Sequence, residues 1–233
     1  MAVADKAVEV LPLESGDRLT RSEFERRYEV MPEVKKAELI EGVVYMSSAV
    51  RAKQHGQPHS QVITWLGVYT AATPAVMLLD NTTVRLDLDN EAQPDALLRL
   101  PEEAGGSSRV SEDDYIEGAP ELVIEIAASS ASYDLHDKLK VYRRSGVREY
   151  LVWRVYDREL TWFYLYEGAY LPLTPDEAGV VESRVFPGLR LAVEAMLAGD
   201  LAKVLATLQE GLGEGEHGAF VKGLTGGEDR VIP

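Results

Sequence analysis

Glu125 is the residue that asks most of its surroundings. It sits in Leu122-Val123-Ile124-Glu125-Ile126-Ala127, the most strand-like segment of the chain. Side chains alternate along a strand, so Glu125 shares a face with Val123 and Ala127. An ionised carboxylate buried without a partner costs several kcal/mol or takes up a proton. A cation, a metal or an edge open to water would offset that cost. A strand with one wet face, where Glu121 and Glu125 both look outward, fits the same pattern. Asp95 follows Gln93-Pro94 and heads the apolar run Ala96-Leu97-Leu98; Pro-Asp is also a common turn pair. Asp134, Lys138 and Tyr142 are spaced four and four, along one face of a helix. An ordinary Asp–Lys surface pair shares that spacing. Strand–loop–helix order, however, starts this helix beside the C-terminal end of the Glu125 strand, where Lys138 can reach back over the sheet edge. Two carboxylates on neighbouring strands with a lysine make a set for metal-assisted phosphodiester hydrolysis. Hard carboxylate oxygens suit Mg²⁺ (or Mn²⁺), which binds through one or two carboxylates and keeps several waters. The ammonium can orient water or neutralise developing charge.

Elements that would carry these residues follow from capping and periodicity. Thr20 with Glu23 three residues on is a capping box, predicting a helix from Arg21 to Tyr28. AELI and VVYM flank Glu41-Gly42 as a tight hairpin over 37–46. Pro58 opens a helix over 58–72 with Val62, Trp65, Leu66 and Tyr69 on one stripe. Strands are expected at 76–79, 83–88 and 95–100, with Asp89-Asn90-Glu91 as a break, then a loop over 101–118. The Glu125 strand covers 121–127 and the Lys138 helix 130–146, stopped by Gly146. Residues 150–157 and 160–168 read as an aromatic hairpin, and AYLPLT as a further strand. Asp200 caps a final helix. Residues 1–18 read as a loose leader, 19–210 as one domain, and 211–233, with seven glycines, as a mobile tail. The sum is an α/β (α+β) domain with one mixed sheet and helices on its faces.

Composition bounds the function. The chain has 233 residues and no cysteine, which removes disulfides, thiolate zinc sites and cysteine nucleophiles. That fits a cytoplasmic protein. No apolar run approaches the roughly 20 residues of a membrane span, and the start lacks the basic region of a signal peptide. Acidic residues outnumber basic ones 39 to 24, for a net charge of −15, which argues against bulk attraction to nucleic acid. The stretch from Asp134 to Arg158 runs the other way, with seven basic residues against four acidic ones. It is compatible with a small phosphate-facing surface and with an ordinary exposed helix. His59, at the start of the second helix, suits phosphate binding or proton transfer at a site mouth, and equally a surface histidine. The aromatic faces between Tyr150 and Tyr170 suggest a homodimer, or a core covered by the chain itself.

In order along the chain, ELIEGVVYMSS, Pro58-His59, DNTTVRLD, QPDALLRL, GAPELVIEIAASSAS, DLHDKLKVYRRSGVREYLVW and VFPGLRL resemble the Uma family of restriction-endonuclease-like proteins in bacteria, part of the PD-(D/E)XK nuclease superfamily. The resemblance spans about residues 20 to 197 and is most specific between Gly118 and Trp153. It implies a restriction-endonuclease-like fold, a mixed central sheet flanked by helices, and an endonuclease acting on nucleic acid, DNA first, with Mg²⁺. It places Asp95 and Glu125 as metal ligands, with the Ile126 carbonyl as a further contact. The lysine usual two residues after the Glu is Ala127 here; Lys138 takes its place from the following helix, with Asp134 and Tyr142 orienting it. Within ELIEG an acidic residue completes the site, Glu38 in preference to Glu41. Ala128-Ser129-Ser130-Ala131 replaces the family's Ser-Pro-Ser-Thr, and Val152-Trp153-Arg154-Val155 its Trp-x-Val-Asp. Two other classes compete: the same fold without catalysis, as a binding or scaffold protein, and a carboxylate-pair hydrolase acting on a glycoside.

Overall fold

Local signals set most element boundaries. In the computed structural model, which describes residues 10–46, 51–128 and 134–225 but not the side chains of Asp134 and Thr225, the Thr20 hydroxyl accepts from the Glu23 amide at 3.4 Å and opens α1 (Arg21–Tyr28). Strands β1 (Ala37–Ile40) and β2 (Val43–Met46) pair antiparallel. Glu41 (φ 54°) and Gly42 (φ 70°) are both left-handed, the pair a two-residue hairpin of this twist requires. Helix α2 (Gln57–Ala72) buries Val62, Trp65, Leu66 and Tyr69. One wide helical turn, Ala52–Gly56, precedes it, and the Gln57 amide reaches back five residues to the Ala52 carbonyl.

The remaining strands are β3 (Met77–Asp80), β4 (Val84–Arg85), β5 (Glu91–Ala92), β6 (Ala96–Arg99), β7 (Ser108–Val110), β8 (Ile116–Gly118), β9 (Leu122–Ala127), β10 (Glu149–Arg154), β11 (Glu159–Tyr166), β12 (Ala169–Pro172), β13 (Val180–Glu182) and β14 (Arg190–Ala192). They build a larger sheet, β12-β11-β10-β9-β6-β3, a smaller one, β2-β1-β5-β4-β8-β7, and the β13-β14 hairpin. The larger sheet is mixed, with β9 and β10 parallel and its other neighbours antiparallel. The fold is therefore mixed α/β, as expected, with the strands divided between sheets rather than gathered in one.

One face of the larger sheet, with Leu98, Ile124, Ile126, Leu151 and Trp153, packs on α2 and on α5 (Leu201–Leu212). The other face, with Leu97, Val123, Ala127, Tyr150 and Val152, meets α3 (Leu139–Ser145) and, through Ile40, Val84, Ala92 and Ile116, the smaller sheet. The aromatic strands are largely covered within the chain: Trp162 meets Trp65 edge-on at 5.7 Å, and the rings of Tyr150, Phe163 and Tyr170 contact one another. Tyr166 and Leu171 stay exposed.

Four expectations change. The break at Asp89-Asn90-Glu91 contains a strand: buried Asn90 accepts from the Glu41 amide at 2.8 Å and hands the chain into β5, while Leu86 and Asp87 turn back onto its carbonyl and cut the 83–88 strand short. The 101–118 loop holds the β7-β8 hairpin. The leader is docked through Leu13, buried against Phe24, Leu39 and Val44, and through Arg18, which bridges to Val43. The supposed tail carries α6 (Gly215–Thr225), following α4 (Val193–Ala198) and α5. Its His217 is buried against Thr73 at 2.9 Å, and Phe220 and Leu224 pack on the core. Gly211 serves close packing, since a Cβ there would lie 2.4 Å from the Gly188 carbonyl oxygen. Residues 130–133 of the predicted 130–146 helix lie outside the described residues; a wide turn, Asp134–Lys138, then leads into α3. Among the described residues no helix is long and apolar enough to cross a membrane.

Candidate functional site

Antiparallel register brings the acids together. Ala96 pairs with Ile124 and Leu97 with Val123; one step further sets Asp95 opposite Glu125. Residues directly opposite on one face have Cβ atoms about 5 Å apart. Both carboxylates thus continue the Leu97–Val123 face past its last apolar layer, where α3 and β1 close over it. Asp95 and Glu125 are buried.

The donors around them are strong. The Ile126 amide donates to Asp95 Oδ2 at 2.7 Å. Groups of one strand residue turn to the same edge, so the Ile126 carbonyl faces that side too. Lys138 Nζ lies 2.8 Å from Glu125 Oε1 and 2.9 Å from Glu38 Oε1. The Tyr142 hydroxyl donates to the same Glu125 oxygen at 2.8 Å. Glu38 also accepts from the Gln93 amide at 2.7 Å, which ties β1 to the segment leading into Asp95. Burial works against ionisation of Asp95, but the hydrogen bond from His55 and the nearby charge of Lys36 outweigh it and hold the carboxyl well below the ordinary range.

The residues singled out from sequence thus fall into three groups. Asp95, Glu125, Lys138, Glu38 and Tyr142 converge. Glu41 does not: it is exposed and pairs with Arg144 at 2.7 Å. His59 sits beside the cluster, with Nε2 2.9 Å from the Asp95 carbonyl oxygen and 2.9 Å from Asp80 Oδ1. The Asp134 side chain lies outside the described residues. Glu121 and Glu125 both point inward, so the wet-face alternative fails. Of the basic stretch, Arg143 and Arg148 bind carbonyls, and Arg144 and Arg154 bind nearby acids.

The structure adds two members. His55 Nε2 lies 3.1 Å from Asp95 Oδ1, and Lys36 Nζ 3.5 Å from the same atom. Alternation would have found Lys36, because it shares a strand face with Glu38 and Ile40. His55 belongs to the wide turn before α2, and Lys138 closes the wide turn before α3. Such i→i+5 turns gather at functional sites, and both here aim a side chain at the acid pair.

A family model, Uma2, described as "Putative restriction endonuclease", matches residues 21–194. The chain belongs to the Uma2 family. The matched span contains Lys36, Glu38, His55, Asp95, Glu125 and Lys138. A crystal structure from Anabaena variabilis ATCC 29413, titled as a putative nuclease belonging to DUF820, has a TM-score of 0.56 and 12% identity, covering 75% of this chain and 97% of that one. At that identity the likeness is one of fold. No curated protein matches the chain. The resemblance noted in the sequence is therefore established at the level of family and fold.

Proposed function

We propose that this Uma2 member is a cytoplasmic Mg²⁺-dependent endonuclease that hydrolyses phosphodiester bonds in DNA, with Asp95 and Glu125 as metal ligands. The carrying observation is the register that sets Asp95 opposite Glu125, with one lysine bound to both Glu125 and Glu38. The donors fit the ion in kind: two carboxylates and a carbonyl are hard oxygens, and Mg²⁺ needs only one or two carboxylates beside its waters. Formal charge favours it too, since Glu38, Asp95 and Glu125 outnumber Lys36 and Lys138 three to two. When bound, such an ion supplies Lewis acidity at a phosphoryl oxygen and acidifies water enough to act near neutral pH. Lys138 and Tyr142 fix the Glu125 carboxylate, the Ile126 amide fixes that of Asp95, and Glu38 anchors Lys138. His59 holds the Asp95 backbone through its carbonyl oxygen.

The test is plasmid relaxation with Mg²⁺, Mn²⁺ or EDTA. Metal-dependent nicking that vanishes in Asp95→Ala and Glu125→Ala is expected; nicking unchanged in both variants refutes the assignment. One observation favours a second reading, a nuclease fold that binds without cutting: both Asp95 oxygens already face protein donors. Under that reading calorimetry detects no Mn²⁺ binding, and Glu125→Gln changes nothing in it. The glycoside alternative has no support at this site, where the acid pair is built around ammonium groups.

A further inference from the structure

We propose that Lys36, not Lys138, is the cation that touches the scissile phosphate; this rests on the nuclease reading and divides its two lysines by task. Lys138 is only 2% exposed and sits within 2.9 Å of two buried carboxylates. Turning it toward a substrate would strand Glu125 and Glu38 without their counter-ion, a change that costs several kcal/mol for a buried pair. It is a positioning residue, acting through Glu125.

Lys36 is placed differently. It precedes β1 and alternates with Glu38 onto the site face. Its side chain is 21% exposed, and its contact with Asp95 is 3.5 Å long, the outer limit of a hydrogen bond. It is therefore a loosely tethered amine with one side toward solvent, beside the carboxylate at which the reacting phosphate must arrive. A phosphate oxygen can replace Asp95 Oδ1 as its acceptor, leaving Asp95 with its bonds from Ile126 and His55. Lys35, next to it, is exposed and donates to the Pro32 carbonyl at 3.2 Å, away from the acids.

The experiment is fluorescence anisotropy of a labelled DNA duplex, and of the matching single strand, bound by the full chain in EDTA over a range of salt. Lys36→Met is expected to weaken binding and to reduce the slope of log affinity against log salt by roughly 1, the signature of one lost phosphate contact. Lys36→Arg should keep the wild-type slope, and Lys35→Met should move it far less than Lys36→Met. An unchanged slope and affinity in Lys36→Met, with wild-type binding intact, overturns the inference and leaves the nuclease reading standing. A wild-type chain that binds neither probe overturns both. Should Lys36→Met fail to fold, acetylation of the wild-type chain read by mass spectrometry decides: DNA should slow modification of Lys36, and a rate that saturating DNA leaves unchanged overturns the proposal.

Discussion

Buried carboxylates occur at both ends of the β9–β10 pair, and the two ends satisfy them in opposite ways. At the N-terminal end, Glu121 accepts from the Leu100 and Ser107 amides at 2.7 and 2.9 Å. Glu149 accepts from the Ser183 hydroxyl at 2.7 Å and the Arg184 amide at 2.6 Å. These donors are neutral and belong to loops, so each carboxylate stitches a loop to the sheet. At the C-terminal end the donors include two ammonium groups, and the acids sit face to face. Burial pushes the Glu149 carboxyl up to about 7 against the pull of its hydrogen bonds, whereas Asp95 is held far below the ordinary range. Glu149 favours a proton; Asp95 keeps its charge, which is the state a metal ligand needs. Burial alone therefore does not distinguish the acids at the two ends; the charge of their partners does.

Substitutions that exchange the two ends should break this distinction if it is wrong. The largest effect belongs to the acid pair: Asp95→Ala or Glu125→Ala should lower metal-dependent nicking by about 100-fold or more, since even partners of metal ligands cost roughly 10–100-fold. Glu121→Gln should leave nicking within a few-fold of wild type while lowering the melting temperature. Next comes Lys138→Met, which leaves two buried carboxylates without their shared counter-ion. It should cost about 3–5 kcal/mol, read as a fall of roughly 6–20 °C in thermal melts of a chain this size. Melting unchanged in Lys138→Met would mean that Lys138 is not the internal counter-ion.

The pH dependence separates the ends by sign. A carboxyl whose pKa is raised by folding binds its proton longer in the folded chain than in the unfolded one. Stability therefore falls as pH rises between the ordinary value of 4.5 and about 7 for Glu149. The loss is on the order of 3 kcal/mol at most, and Glu149→Gln should flatten it in urea titrations across that window. Asp95 contributes in the other direction. Its stabilisation is fully present above the ordinary Asp value of 3.8 and is lost progressively as pH falls from there through its depressed folded value.

The acid pair and Lys138 were legible because Glu125 stands in an apolar strand, Asp95 directly heads another and Lys138 keeps a four-residue spacing with Tyr142, and because the ordered series resembles a family. Glu38 was separable from Glu41 only in part, since both lie beside one hairpin; the turn then sends Glu41 outward to Arg144. Elements without period were not legible. Glu91–Ala92 is two residues long, and no alternation can announce it. His55 was missed because a wide turn shifts it out of phase with α2. The C-terminal helix was hidden by glycines, although His217, Phe220, Val221 and Leu224 hold the spacing of a helical stripe. Intrinsic propensity argued against a helix there, and packing against Thr73 and the Gly188 backbone overrode it.

The finest test is the Tyr142 hydroxyl. It shares Glu125 Oε1 with Lys138, so it adds a neutral donor to a carboxylate that already has a charged one. Tyr142→Phe keeps the ring packed against Tyr150, whose centroid is 5.1 Å away, and removes the hydroxyl that makes that bond. Because the ammonium remains, Glu125 is not left uncompensated, and the loss should be near the net value of one hydrogen bond, about 1 kcal/mol. Nicking should fall by less than about 10-fold, the equivalent of 1.4 kcal/mol. A collapse of activity to the level of Glu125→Ala, with melting unchanged, would mean that the phenol rather than the ammonium fixes the carboxylate. The cation-based contrast between the two ends of the sheet would then have to be redrawn around Tyr142.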